Sequence, residues 1–180
     1  ERAEEIIRKG TLIEEILDLV GIKVVKQRPK IALNTLIALS AFLPESVHSI
    51  LAGPPQKGKS AISDTIFDVF PLQKKEEIGR GSTPASLTNM TVFKEGPYVL
   101  SDKLIRIGDL GDENEIKESA SLLTIFKELM SDGKYNRNIS ISDDENGHIT
   151  KRLTLLNIGS IQLSTIEEEI NGQFNSRSIT

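Results

Sequence analysis

The chain has 180 residues, of which 27% are charged and 38% hydrophobic, and its formal net charge is −4. This size and apolar content suit one domain with a buried core, and the negative charge argues against coating of nucleic acid over the whole surface. The sequence has no cysteine, which excludes disulfides and thiolate chemistry and is compatible with a reducing cytosol. Its apolar runs are too short for a membrane span, so we expect a cytoplasmic protein that does not contact membranes.

The first 44 residues predict a helical segment. Hydrophobic residues recur on one helical face over residues 1–20, and Gly10–Thr11 predicts a break between two short helices. Pro29 suits the first turn of a further helix. Beyond it, short apolar runs alternate with helical patterns, so we predict an α/β core over residues 45–180.

The most specific motif is a glycine-rich loop that matches the phosphate-binding pattern G-x-x-x-x-G-K-[ST]. Its eight residues and the alanine after them are Gly53, Pro54, Pro55, Gln56, Lys57, Gly58, Lys59, Ser60 and Ala61. The glycines let backbone N–H groups surround a phosphate, the lysine adds a positive charge, and the serine hydroxyl can bind Mg²⁺. An apolar run precedes the loop and a helical pattern follows it, so the sequence predicts nucleotide binding at a helix N-terminus.

Between this loop and the last third of the chain, the pattern continues to alternate. It predicts a charged surface turn at Lys74–Glu77 and strands at Tyr98–Leu100 and Leu104–Ile107. A helix over residues 116–130 follows, and Gly133 ends it.

A site for a nucleoside triphosphate needs an acid at the end of a second apolar strand, which we expect to lie beside the loop's strand in the sheet. Asp109 follows the apolar run that starts at Leu104, so it is the expected partner of Ser60 in binding Mg²⁺. As an ordinary turn residue, Asp109 would instead cap the next helix. The base that activates water is left open between Asp112 and Glu113, because either carboxylate could cap that helix.

Two other positions could complete such a site. Ser164 and Thr165 follow the last apolar strand and could place a hydroxyl near the γ-phosphate, although such pairs are common in turns. Arg177 is a candidate arginine finger, which would stabilise charge on the transferred phosphoryl group from a neighbouring subunit; the alternative is a surface arginine. His48 and His148 are isolated and are expected to be ordinary surface or packing residues.

Residues 138–156 predict a β-hairpin with a tight turn at Asn146–Gly147. Four basic residues surround it: Lys134, Arg137, Lys151 and Arg152. They would neutralise the phosphates of nucleic acid if the hairpin projects into the channel of a ring, and would offset the acidic tip if the hairpin is only solvated. Both interpretations stay open.

Taken together, these segments resemble an AAA+ ATPase of the helicase-like type found in viruses, plasmids and mobile elements, with features of superfamily 3 and minichromosome-maintenance helicases. The resemblance covers Pro29 to Thr180. It rests on the glycine-rich loop and on four segments, Ile105–Asp112, Lys127–Gly133, Leu163–Thr165 and Ser176–Arg177. It implies a P-loop fold of three α/β/α layers with a mainly parallel sheet, N-terminal helices and an inserted β-hairpin.

The resemblance also assigns roles. It implies ATP and Mg²⁺ as cofactors, DNA as a partner bound through the hairpin, and assembly into a hexameric ring. Lys59 and Ser60 would bind phosphate and Mg²⁺, Asp109 would be the Walker B acid, and Ser164 or Thr165 would be the sensor. Arg177 would be the finger that completes the neighbour's site.

This sequence departs from the family pattern in two places. Leu110 follows Asp109, where the family has adjacent Asp and Glu, so the catalytic acid is not fixed. The chain stops at Thr180, before the helical lid that the resemblance implies, and we expect it to be a fragment. A small-molecule phosphotransferase and a nucleotide switch that is not a motor are the alternative functions.

Overall fold

In the computed structural model, the described residues are 2–21, 28–54, 56–79, 82–93, 96–110, 120–143, 147–165 and 178–179. The helices within these ranges are α1 (Arg2–Lys9), α2 (Leu12–Gly21), α3 (Arg28–Leu39), α4 (Lys59–Val69), α5 (Pro84–Phe93) and α6 (Ala120–Asp132). Short 3₁₀ turns follow α3 at Ser40–Phe42 and α4 at Leu72–Lys74. The strands are β1 (His48–Ala52), β2 (Lys75–Ile78), β3 (Leu104–Leu110), β4 (Lys134–Asp143), β5 (Gly147–Leu156), β6 (Ser160–Thr165) and β7 (Ser178–Ile179).

Five strands form one sheet in the order β2-β3-β6-β1-β7, and all of the described pairings are parallel. β4 and β5 form a separate antiparallel hairpin. The register aligns Ala52 and Leu110 with Thr165 on β6. The carboxyl ends of β1, β3 and β6 therefore meet at one edge of the sheet.

Helices cover both faces of the sheet, as a parallel sheet requires. On β3, Leu104 belongs to a buried cluster with residues of α2, α3 and α4, whereas Ile105 and Ile107 belong to a second cluster with residues of α5 and α6. The side chains of successive strand residues point to opposite faces, so one strand contributes to both clusters. The predicted α/β class is confirmed, and the arrangement is compatible with three α/β/α layers.

Several predicted elements are confirmed within the described ranges. The N-terminal segment breaks at Gly10, where φ is +69°. The predicted helix that ends before Gly133 is α6, although residues 116–119 lie outside the described ranges. The hairpin is β4 and β5, which pair from Lys134 with Leu156 to Asp143 with Gly147. No helix in these ranges is long and apolar enough to cross a membrane.

Two predictions were wrong. Lys74–Glu77 is not a surface turn, because Lys75–Ile78 forms the edge strand β2 and pairs with β3. Tyr98–Leu100 is not a strand but part of a series of turns. Its apolar residues Val99 and Leu100 are buried in the core without sheet pairing.

His48 is buried at the start of β1, with 6% of its surface exposed. The N–H of Ile161 donates to its Nδ1 over 3.2 Å, so the ring is neutral with its proton on Nε2. Burial lowers the pKa of His48 from 6.5 to about 4. The expected packing role is therefore correct for His48, whereas the side chain of His148 lies outside the described residues.

We expect this histidine to make the protein less stable in acid. Between its unfolded pKa of 6.5 and its folded pKa of about 4, the unfolded chain binds a proton that the folded chain does not. The free energy of unfolding should therefore fall by about 2 kcal/mol from pH 7 to pH 5 on account of this group. Urea unfolding at both pH values measures the change, and His48→Asn should reduce it.

The control concerns the carboxylates of Glu45 and Asp102, which share a cavity with His48. A Glu45→Gln/Asp102→Asn variant should keep the acid sensitivity of the wild type. If His48→Asn lost as much stability as the wild type between pH 7 and pH 5, groups other than His48 would be the source of the acid sensitivity.

Candidate functional site

The glycine-rich loop connects the carboxyl end of β1 to the first turn of α4. Gly58 is the residue before the helix and has φ of +81°, without a side-chain cap. The first N–H groups of a helix have no partner within it, and they carry the positive end of the helix dipole. Ser60 and Ala61 lie exposed in this first turn. As far as the chain is described, the loop therefore presents unpaired donors and a serine hydroxyl at its open side.

Lys59 binds the backbone of its own loop. Its Nζ donates to the carbonyl oxygens of Gly53 and Pro54, over 2.6 and 2.9 Å. Gly53 has φ of +139°, a conformation that essentially only glycine adopts. Gln56 has φ of +63°, and Pro55 lies outside the described residues. A phosphate oxygen would thus compete with two carbonyls for the ammonium group.

The strand order corrects one expectation about the site. We expected the strand of Asp109 to lie directly beside β1, but β6 lies between β1 and β3. Neighbouring strands are about 4.8 Å apart, so the loop strand and the Asp109 strand are separated by roughly 10 Å. The gap is occupied by the end of β6, where Ser164 and Thr165 are both buried. The strand order thus places Ser164 and Thr165, which were predicted to supply a hydroxyl, between the loop and Asp109.

A β-bulge interrupts β3 at its carboxyl end. Ile107 pairs with Leu163, whereas Leu110 pairs with Thr165, so β3 uses three steps where β6 uses two. The extra residue falls in Gly108–Asp109. A bulge shifts the alternation of side chains, and bulges are frequent beside active sites because they re-aim a side chain. The backbone of Asp109 therefore lies at the irregular end of the strand.

Arg106 connects α4 to the sheet, a role that the sequence did not reveal. Its guanidinium group lies 4.4 Å from the ring centroid of Phe67 on α4. It also forms ion pairs with Asp64 on α4 and with Glu77 on β2, the latter over 2.7 Å. These partners are 42 and 29 residues away in sequence. The strand that contains Asp109 is thereby fixed to the helix that begins with Lys59 and Ser60.

Asp112, Glu113 and Arg177 lie outside the described residues, and so does the side chain of Asp109. In the described part of the chain, no three His, Asp or Glu side chains form a group that could hold a metal ion. The hydroxyl of Ser60 and the carboxylate of Asp109 are nevertheless oxygen donors of the kind that Mg²⁺ prefers. The donor set fits an ion that also binds phosphate oxygens and water.

The hairpin separates its four basic residues into two pairs. Residues that pair directly across an antiparallel hairpin share a face, and successive residues alternate. Arg137 pairs with Leu153, and Lys151 pairs with Ile139, which places Arg137 and Lys151 on one face. Lys134 and Arg152 fall on the other face by the same alternation. The predicted basic cluster is thus two surfaces, of which Arg137 and Lys151 are diagonal neighbours.

The base of the hairpin is anchored in the core. Leu155 is fully buried, and the N–H of Leu156 donates to the carbonyl of Pro97 over 2.7 Å. The N–H of Asn157 donates to the carbonyl of Gly133 over 2.7 Å, which closes the hairpin at its base. β6 begins three residues after Asn157 and ends at the candidate site. One strand therefore leads from the hairpin base to Ser164 and Thr165.

The sequence matches no protein-family model, and a search of curated proteins finds no significant match.

Proposed function

We propose that this chain is the ATP-binding and ATP-hydrolysing core of a helicase-like AAA+ motor that acts on DNA as a hexameric ring. The observation that carries the proposal is the shared edge of β1, β6 and β3. The glycine-rich loop, Thr165 and the bulge at Asp109 all fall at this edge. In parallel α/β sheets, ligands bind at the carboxyl ends of strands, beside helix N-termini.

In this proposal, the loop binds the triphosphate and Lys59 supplies the main positive charge. The ammonium group leaves the carbonyls of Gly53 and Pro54 and binds the β- and γ-phosphates, while first-turn N–H groups of α4 donate to phosphate oxygens. Ser164 or Thr165 lies between the loop and the acid and holds the γ-phosphate or the attacking water. The water attacks the γ-phosphorus atom, and ADP leaves.

Mg²⁺ would be held by the Ser60 hydroxyl and the Asp109 carboxylate, together with phosphate oxygens. When bound, the ion neutralises charge that develops on the phosphates. Asp112 or Glu113 would accept the proton of the water. Arg177 would stabilise the transferred phosphoryl group in the site of a neighbouring subunit, which is the reason that the proposal requires a ring.

DNA would bind to the hairpin through the phosphate backbone. Arg137 and Lys151 form the closer basic pair, because they are diagonal neighbours on one face. Contacts of this kind neutralise phosphates without reading sequence, and they weaken as salt rises. The hairpin leads directly into β6, and the carboxyl end of β6 would contact the γ-phosphate. One strand would therefore connect the DNA-binding hairpin to the nucleotide site.

The experiment that tests the proposal measures ATP hydrolysis with and without single-stranded DNA. We expect DNA to stimulate the wild-type rate severalfold. Arg137→Glu/Lys151→Glu should remove this stimulation and weaken DNA binding by at least about tenfold at low salt, because repulsion replaces two attractive contacts. The basal rate should stay unchanged, since the hairpin begins at the edge of the sheet opposite the loop.

The matched control is Lys134→Glu/Arg152→Glu, which makes the same change in charge on the other face. It should lower DNA binding less than the first pair. Equal effects of the two pairs would mean that the hairpin contributes only its net charge. Transfer of phosphate to a nucleoside or metabolite, without any response to DNA, would favour a phosphotransferase instead.

A further inference from the structure

A cavity of about 560 Å³ lies at the amino ends of the strands, opposite the phosphate loop. Its walls come from the connections that precede β1, β3 and β6 and from the carboxyl end of α6. A strand rises about 3.3 Å per residue, so β1 and β6 separate this cavity from the loop by roughly 15 Å or more. The cavity is therefore distinct from the candidate nucleotide site.

Among the described residues, the lining of the cavity carries negative charge without a compensating cation. Glu45 and Asp102 are the charged residues in its lining, and both are exposed. Neither carboxylate has an ion pair or hydrogen bond within the described part of the chain. The carboxyl end of α6, which reaches the cavity at Ser131, adds the negative end of a helix dipole. This lining favours a cationic ligand.

His48 adds a hydrogen-bond donor to the same cavity. More than nine-tenths of the residue is buried, and it lines the cavity. Its Nδ1 accepts from the N–H of Ile161, which leaves the Nε2–H on the opposite edge of the ring. That N–H has no acceptor in the described structure. The Nε2 atom is not one of the fully buried polar atoms that lack a partner, so its N–H remains accessible to a ligand with an acceptor group.

The rim of the cavity is fixed before any ligand binds. Asp102, Asn157 and Gly133 have positive φ angles of +51°, +56° and +64°. Backbone bonds hold these turns, including the 2.7 Å bond from Asn157 N–H to the Gly133 carbonyl. The Ser46 hydroxyl donates to the carbonyl of Ile158 over 3.3 Å and connects two of the walls. Residues other than glycine seldom adopt a positive φ angle, and those that do are concentrated at ligand sites and turns.

We propose that this cavity binds a lysine or arginine side chain of a partner peptide. The cation would lie beside Glu45 and Asp102, and a peptide carbonyl would accept from the Nε2–H of His48. Apolar lining residues would contact the aliphatic part of the side chain; they include Leu43, Leu129 and Ile158. Free polyamines share the cationic chemistry but carry no carbonyl for His48. The proposal is independent of nucleotide binding.

The test titrates the full chain with a capped Gly-Lys-Gly tripeptide and follows binding by NMR shifts. A tripeptide with norleucine in place of lysine keeps the stem without the charge, and spermidine represents a free cation. We expect the lysine peptide to bind and the norleucine peptide not to bind. Glu45→Gln/Asp102→Asn should weaken the lysine peptide about tenfold. A matched control, Glu14→Gln/Glu128→Gln, removes the same charge from exposed helix positions and should bind like the wild type.

His48→Asn separates the peptide from a free cation. The asparagine oxygen can still accept from the Ile161 N–H, but the Nε2–H is lost. Binding of the lysine peptide should weaken about fivefold, while binding of spermidine should not change. The proposal is overturned if the lysine peptide shows no binding up to about 10 mM, if norleucine binds equally well, or if the two double variants behave alike. Tighter binding of spermidine than of the peptide would assign the cavity to free polyamines and overturn the peptide assignment.

Discussion

Replacing Lys59 by alanine should reduce ATP hydrolysis at least about 100-fold, because the loop then lacks its charged group for the phosphates. The structure indicates that this substitution should lower activity without unfolding the protein. Within the described part of the chain, the ammonium group binds only the loop carbonyls of Gly53 and Pro54, and no core residue contacts it through a hydrogen bond or ion pair. Helix α4 is instead held by Ile62, Ile66 and Phe67 in the core. The variant should therefore fold normally and fail at phosphate binding.

Phosphate release at saturating ATP and Mg²⁺ measures the rate, and circular dichroism verifies the fold. Lys127→Ala on α6 is a suitable control, because it removes the same charge far from the loop in sequence. It should hydrolyse ATP like the wild type. A Lys59→Ala protein with the wild-type rate would show that the loop is a glycine-rich turn without a role in catalysis.

The elements that the sequence predicts well are those whose signals are local. Apolar spacing locates α3 and α4, the glycine pattern locates the loop, and alternation locates the hairpin. Gly10 breaks the N-terminal helices because a left-handed residue ends a helix easily. Each of these features is set by residues within about ten positions of one another.

The failures come from partners that are distant in sequence. Lys75–Ile78 looks like a charged turn, but the charges are satisfied across the sheet: Glu76 pairs with Lys103, and Glu77 pairs with Arg106. Tyr98–Leu100 looks like a strand, but the carbonyls of Pro97 and Leu100 accept hydrogen bonds from more distant residues. The donors are the N–H groups of Leu156, at the end of β5, and of Gly159, just before β6. A local pattern does not contain either set of partners.

The same reason limits the prediction of the site. Ser164 and Thr165 could be proposed from their position after an apolar strand, but the insertion of β6 between β1 and β3 could not. Strand order depends on long-range pairing, which is not encoded in any one segment. The bulge at Gly108–Asp109 and the bridge through Arg106 likewise depend on β6, β2 and α4. The sequence thus identifies the residue types of the site, and the sheet determines their neighbours.

Replacing Gly159 by alanine should destabilise the protein by more than about 4 kcal/mol, which is a large part of the stability of a typical domain. A Cβ atom at this position would lie 1.9 Å from the carbonyl oxygen of Lys103, and 2.6 and 2.8 Å from its nitrogen and carbonyl carbon. These are backbone atoms and cannot rotate away. Relief would require β3 and β6 to separate where Leu104 pairs with Ser160, at the centre of the sheet.

Urea unfolding measures this effect, and the soluble yield of the variant gives a second indication if it does not fold. The matched control is Gly79→Ala, because a Cβ there would meet only the Ser82 hydroxyl at 3.9 Å. The control should stay within about 1 kcal/mol of the wild type. Similar unfolding curves for the two variants would mean that β6 does not begin against Lys103. In that case the sheet order that brings Ser164 and Thr165 between the loop and Asp109 would also lose its support.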